Sequence, residues 1–291
     1  VSDPLGGWLM PALIFALMFG MGLALTIDDF RRVLKLPGPV IVGTLLQLVA
    51  MPLVGYALAV GYGLPPLLSV GIVIAAACPG GMLSNMLVHW VGANTALSIS
   101  LTATATAATL FTLPLWIRAS LAHTGGAGGV AEIPLLETAL ELGSLTILPV
   151  VLGMATCTRF PGAARLDRPL TLLASLGILA ALTLDGFMRP EFPVEAVALV
   201  TPPALWLAGA ALLLGLLVPM LLRFSASDTV TIAVEIGVKN TLLGIVVASS
   251  SFGVLEPSIP ILLYGGLMLP LGASLVIGYR LHRRFRAARN S

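Results

Sequence analysis

Cys78-Pro79-Gly80-Gly81-Met82-Leu83-Ser84-Asn85 lies inside an apolar run, 66–88, that is otherwise long enough for one helix across a bilayer. Proline has no amide hydrogen and glycine is a poor helix former, so Pro79-Gly80-Gly81 predicts a break in the hydrogen-bond ladder near mid-membrane. A break frees backbone N–H and C=O groups, and hydrocarbon offers them no partner, so it must meet protein or line a cavity. A second segment is built for the same depth. Glu235-Ile236-Gly237-Val238-Lys239-Asn240, within the run 228–251, puts a carboxylate, an ammonium and an amide inside an apolar stretch.

The rest of the chain supplies the membrane setting. Its 291 residues are 58% hydrophobic and 10% charged, with a mean hydropathy of +1.04, which a water-soluble surface would not tolerate. Apolar runs between turn and charge punctuation predict spans at 8–26, 38–60, 66–88, 94–117, 133–155, 169–185, 196–222, 228–251 and 258–280. The first run has no basic residues before it and many spans after it, so it reads as a span and not as a cleaved signal. Nine spans leave the termini on opposite sides. Arg31, Arg32, Lys35, Arg159, Arg165, Arg168, Arg223 and the tail Arg280, Arg283, Arg284, Arg286 and Arg289 all fall on one side. The positive-inside bias then predicts an outside N-terminus and a cytoplasmic C-terminus in the cell (inner) membrane. Cys78 and Cys157 both lie in or beside apolar runs, which disfavours a disulfide framework.

The two unusual segments sit about 70 residues after comparable starting points, Pro11 and Pro169, with four spans in each set. An odd number of crossings separates the sets, so they run in opposite directions. That is the pattern of an inverted-topology repeat whose binding site lies at two discontinuous helices. The fold class expected is therefore an all-α integral membrane protein of about nine helices. The span 133–155 is left unpaired, as though its partner were a helix preceding Val1.

Each polar feature has a structural alternative. A charge at mid-bilayer costs at least about 2.5–3.5 kcal/mol, so Glu235 is expected to face a cavity, an ion or a partner. Lys239 stands one helical turn from it, and the two could form a purely structural ion pair. Thr95, Ser98, Thr102, Thr106 and Thr109 recur at spacings of three and four along one helix face. Small hydroxylated residues let membrane helices pack closely, yet the same oxygens suit a hard cation. Gln47, ahead of Pro52, is either a ligand or interhelical glue. Glu137 and Glu141 either line an entrance or reach the interface, His89 and His282 read as interfacial, and the arginine tail meets anionic lipid. No HExxH, GxxxxGK[ST], GxSxG or CxxC element is present, which argues against an enzyme.

Taken together, Met18-Phe19-Gly20-Met21-Gly22-Leu23, Gln47 with Met51-Pro52, Cys78-Pro79-Gly80-Gly81 with Ser84-Asn85, Asn94 through Ala96-Leu97-Ser98 to Thr102, and Glu235-Ile236-Gly237 with Asn240 resemble the bile acid:sodium symporter family, in which a bacterial homologue of the apical transporter is the nearest kind. The resemblance implies a panel domain at 1–37 and 119–195, with helices 8–26, 133–155 and 169–185. It implies a core domain at 38–118 and 196–280 containing the broken, crossing helices 66–88 and 228–251, and a basic tail at 281–291. Substrate is then expected in the crevice between the domains. A first sodium site would use Ser84, Asn85, Ser98, Thr102 and Glu235. A second would use Gln47, Glu235 and the carbonyls of Ile236 and Val238, with a side-chain amide where this chain has Lys239. An ammonium brings one positive charge to the place of a sodium ion, so Lys239 is expected to replace that ion. Whether it keeps its proton decides whether protons are coupled.

Met82, Ser84, Asn85, Lys239 and Asn240 are the expected substrate-binding residues, Met82 standing where the family commonly has a small hydroxylated residue. Helix N-termini at Ser84-Asn85 and Lys239-Asn240 would offer unpaired N–H groups to a carboxylate or sulfonate. The function expected is symport of a small organic anion with sodium by alternating access. The alternative is a cation/proton antiporter using Glu235 and Lys239 with no organic substrate. No cofactor beyond the coupling ion, no nucleic acid and no obligatory protein partner is expected.

Overall fold

A computed structural model of the chain describes residues 9–24, 37–123, 148–188, 194–252 and 256–290. Among them every regular element is helical, and the one β-type pairing is an isolated bridge. In chain order the helices are α1 (Met10–Ala24), α2 (Pro37–Leu45), a π turn (Leu46–Ala50), α3 (Met51–Gly61), α4 (Pro66–Ala77), α5 (Met82–Val91) and α6 (Thr95–His123). Then come α7 (148–159), a 3-10 turn (Pro161–Leu166), α8 (Asp167–Met188), α9 (Val194–Leu221), α10 (Ala226–Gly237), α11 (Thr241–Phe252) and α12 (Ser258–Asn290).

The runs Gly38–Gly61, Val194–Leu221 and Ser258–Leu281 have 24, 28 and 24 residues and are apolar enough to cross a membrane. At 1.5 Å per residue even the shorter ones reach about 36 Å, more than the roughly 30 Å hydrocarbon core. The α6 helix forms a fourth candidate, bent by 56° between its halves Thr95–Thr109 and Phe111–His123. Pro114 lies one turn beyond, where its missing N–H leaves a rung out of the ladder. The fifth predicted span, 133–155, is described only from Leu148 onward, so Glu137 and Glu141 lie outside the described residues.

The chain divides into two compact units. One comprises Val1–Asp29 and Glu132–Val194. In it α1 packs along α8, and glycine allows backbone-to-backbone approach on another side. A Cβ at Gly22 would stand 2.2 Å from the Val150 carbonyl oxygen, and one at Gly153 would stand 2.3 Å from that of Phe19. Without a hydrophobic drive between helices in lipid, such close approach is what holds them.

The other unit comprises Phe30–Ala131 and Glu195–Ser291 and holds both breaks. The expected span 66–88 is α4 and α5, parted at Cys78–Gly81, and 228–251 is α10 and α11, parted at Val238–Asn240. Around them Val88, Val230, Ala233, Val234, Val238 and Leu275 form one buried apolar cluster, drawing on α5, α10 and α12. The helix α12 packs against all four half-helices and so braces both breaks at once.

Candidate functional site

The two breaks solve each other's unpaired backbone. Gly80 and Lys239 form the antiparallel bridge, and the Asn240 amide donates to the Pro79 carbonyl at 2.8 Å. Side chains from elsewhere take what remains. Gln47 Oε1 accepts from the Gly80 amide at 3.0 Å, and the Tyr264 hydroxyl, fully buried, donates to the Gly237 carbonyl at 3.0 Å. Gln47 is aimed by the π turn, whose origin is local: Pro52 has no N–H for the Leu48 carbonyl four residues back. The Trp116 indole donates to that freed carbonyl at 3.0 Å.

The half-helix starts differ from the expected ones. The helix α5 begins at Met82 and α11 at Thr241, and the polar residues there serve as caps. Ser84 Oγ donates to the Gly81 carbonyl at 2.7 Å and accepts from the Gly81 amide at 3.2 Å. The Asn85 amide already donates to the Gly81 carbonyl at 3.3 Å. Asn240 Oδ1 accepts from the Leu243 amide at 3.1 Å, as an N-cap does. The Asn85 and Asn240 amides, bonded to the Gly81 and Pro79 carbonyls, therefore do not offer the unpaired N–H groups expected of them. Any N-terminal donors lie earlier, beside Met82, which is 44% exposed.

Four of the five residues expected around the first sodium site are joined by hydrogen bonds. Ser98 Oγ lies 2.5 Å from Glu235 Oε1 and 2.6 Å from Asn85 Oδ1. Thr102 Oγ1 lies 2.9 Å from Glu235 Oε2 and 3.3 Å from the same Asn85 oxygen. The fifth, Ser84, stands close by: a Cβ placed on Gly80 would be 3.2 Å from its Oγ and 2.1 Å from Glu235 Oε2. Glu235, Ser84 and Ser98 are completely buried. The donor set is a carboxylate, an amide oxygen and hydroxyls, the hard oxygen ligands that suit an alkali or alkaline-earth cation and not a soft metal. Farther along α6 the hydroxyls of Thr106 and Thr109 are buried with no partner, so the stripe continues while the oxygen cluster does not.

The second expected set is only partly assembled. Gln47, Ile236, Val238 and Lys239 are all buried at or beside the breaks. Lys239 is 2% exposed, yet its Nζ donates no hydrogen bond, to Glu235 or to any other described group. The Nε2 of Gln47 likewise has no partner. A structural ion pair locking Glu235 to Lys239 is therefore not what the structure contains.

One hydrogen-bonded pair near the site is not legible in the sequence. Asn94 caps α6 through Oδ1, which accepts from the Leu97 amide at 3.1 Å, while its Nδ2 donates to Asp228 Oδ1 at 2.7 Å. Its own amide donates to Thr231 Oγ1 at 3.2 Å. Asp228 is held by Ser225, whose Oγ donates to Asp228 Oδ2 at 2.8 Å and accepts from the Asp228 amide at 3.0 Å. The Ser225-x-x-Asp228 spacing was a legible capping-box signal, although nothing in it points to Asn94.

Comparison of the sequence with known proteins finds a family model and several relatives. The family model described as the sodium bile acid symporter family matches residues 10–187. The "Uncharacterized sodium-dependent transporter YocS" of Bacillus subtilis (strain 168) is 30% identical over 243 residues, 82% of this chain and 73% of that protein. The "Ileal sodium/bile acid cotransporter" of Homo sapiens is 29% identical over 245 residues, 82% of this chain and 68% of the relative. The Oryza sativa subsp. japonica protein called "Probable sodium/metabolite cotransporter BASS1, chloroplastic" is 29% identical over 237 residues. That match takes in 81% of this chain but only 57% of the rice protein, so the chain spans little more than half of that relative's length.

Proposed function

The chain belongs to the sodium bile acid symporter family, and from that premise we propose that it is a multi-pass secondary transporter carrying a small organic anion with sodium by alternating access. The anion is bile-acid-like or another carboxylate or sulfonate; one relative is named for bile acid and another for a metabolite. In this reading about nine helices form two inverted repeats, and the unit holding the breaks is the core domain. The N-terminus lies outside and the C-terminus in the cytoplasm.

The observation that carries the reading is the cluster at Glu235. Ser98, Thr102 and Asn85 converge with the carboxylate on one buried point at the crossing of two broken helices. Sodium binds there, with Ser84 completing the set. Lys239 stands in for a second sodium ion, so one ion is coupled where two would otherwise be. Its position supports this: Lys239 is buried four residues from Glu235, where its single positive charge offsets the carboxylate, while its Nζ reaches none of the second site's oxygens.

Uptake of radiolabelled cholate and taurocholate into proteoliposomes, with and without an inward sodium gradient, tests the proposal. Sodium-driven accumulation is expected and is lost in Glu235→Gln. Absence of any uptake, together with sodium-driven pH change in vesicles holding no organic anion, would instead identify a cation/proton antiporter. That second reading draws on Glu235 and Lys239 being the buried charged pair.

A further inference from the structure

Among the described residues Glu235 and Lys239 are the only buried side chains that carry a charge, 0% and 2% exposed. Glu235 lies near the end of α10 and Lys239 four residues on, within the break that follows. Their sum is zero, and a proton passing from the ammonium to the carboxylate would leave it zero.

We infer that this chain moves one sodium ion together with one singly charged anion, an electroneutral pair, and that Glu235 with Lys239 leaves the empty site uncharged for its return. The inference rests on the sodium-coupled anion transport proposed above.

The physics is that of a small charge count in a poorly solvating interior. Sodium among Ser98, Thr102, Asn85 and Glu235 raises the site from zero to one positive charge. An uncompensated charge there is costly, because a buried site solvates it poorly. A monoanion restores zero, whereas a dianion overshoots to minus one. Lys239 Nζ and Gln47 Nε2, both buried with unused donors, face this need with hydrogen-bond capacity that no protein oxygen consumes. Sodium alone or anion alone leaves the site charged, so the empty and the doubly loaded states are the ones that reorient most easily. Coupling then follows from electrostatics and requires no separate gate. A site whose only buried charge were Glu235 would be negative when empty and would need a second cation to reach the same balance.

The test uses the purified full chain in proteoliposomes, with sodium-22 and tritiated cholate counted together under a potassium diffusion potential set by valinomycin. One sodium ion is expected to enter per cholate, and accumulation is expected to stay within about twofold whether the interior is at zero or about −100 mV. One net charge moved through 100 mV is worth about 2.3 kcal/mol, roughly 50-fold in accumulation, so the contrast is large. Lys239→Gln, which restores a neutral amide beside Glu235, is expected to take two sodium ions per cholate and to acquire that roughly 50-fold sensitivity. A parent ratio of two, a parent response near 50-fold, or succinate carried in preference to cholate would each overturn the charge balance. If Lys239→Gln does not fold, the parent measurements decide the question by themselves. Cholate entry that no sodium gradient drives would sink the sodium-coupled reading itself, whereas sodium-driven entry that the potential also drives sinks only this inference.

Discussion

Asn94 Nδ2 donates to Asp228 Oδ1 at 2.7 Å, and one turn further along α6 Ser98 Oγ meets Glu235 Oε1 at 2.5 Å. The same pair of helices is thus tied at two levels, and the first tie is expected to set the axial register on which the second depends. Asn94→Asp opposes two carboxylates and is expected to raise the half-saturating sodium concentration about 10-fold, a charge-assisted bond being worth roughly 1.5–3 kcal/mol. Adding Asp228→Asn to it reverses donor and acceptor and is expected to recover most of the loss. Sodium-dependent uptake across the double-mutant cycle checks this; no recovery in the double variant would mean that the pair does not set the register.

Gly80 leaves no room for a side chain. A Cβ there would stand 2.1 Å from Glu235 Oε2, with Ser84 Oγ 3.2 Å away. Gly80→Ala is expected to displace the carboxylate and remove sodium-driven uptake while the protein still folds, since the contact is with a side chain. Sodium-induced thermal stabilisation in detergent provides the readout. Stabilisation equal to that of the parent would contradict the placement of the ion beside Glu235.

Ser98 and Thr102 contribute one hydroxyl each to the two carboxylate oxygens. Ser98→Ala and Thr102→Val are each expected to weaken sodium binding by about 10-fold or more, the loss of one bond to a charged group. Lithium and sodium titrations of uptake measure the effect. Ser100, whose hydroxyl donates to the Ala96 carbonyl of its own helix, serves as the control, and Ser100→Ala is expected to leave sodium affinity unchanged.

Tyr264 acts on a backbone carbonyl at the second break, and Trp116 on one freed by Pro52. Tyr264→Phe orphans the Gly237 carbonyl and Trp116→Phe orphans that of Leu48, and each is expected to cost about 1–3 kcal/mol of stability. Lowered melting temperature with sodium affinity within about twofold of the parent is the outcome anticipated from a supporting role. A shift in sodium affinity without a change in melting would assign these residues to the ion site instead.

Much of the architecture was legible from residue order because lipid constrains it so strongly. Apolar runs about 20 residues long must be helices, since no other open structure satisfies its own backbone there. Pro79-Gly80-Gly81 and the misplaced Glu235 and Lys239 marked the two places where that rule fails. The oxygen set Asn85, Ser98, Thr102 and Glu235 was also named in advance, because helical spacing puts Ser98 and Thr102 on one face and the family resemblance joined that face to Glu235.

What the residue order left open was how each broken group is satisfied. Ser84 and Asn240 had the right chemistry for ligands and for caps alike, and only the helix starts at Met82 and Thr241 show that their oxygens cap. Tyr264, Trp116 and Asp228 each reach a partner more than 25 positions away, a distance over which periodicity carries no information. The sequence by itself determined that a carboxylate and an ammonium stand four residues apart within one apolar run, where a charge must find a cavity, an ion or a partner. Only the tertiary structure decided that the ammonium is not hydrogen-bonded to the carboxylate. Side-chain direction depends on how the two breaks pair across Gly80 and Lys239, and that pairing is a contact between distant segments.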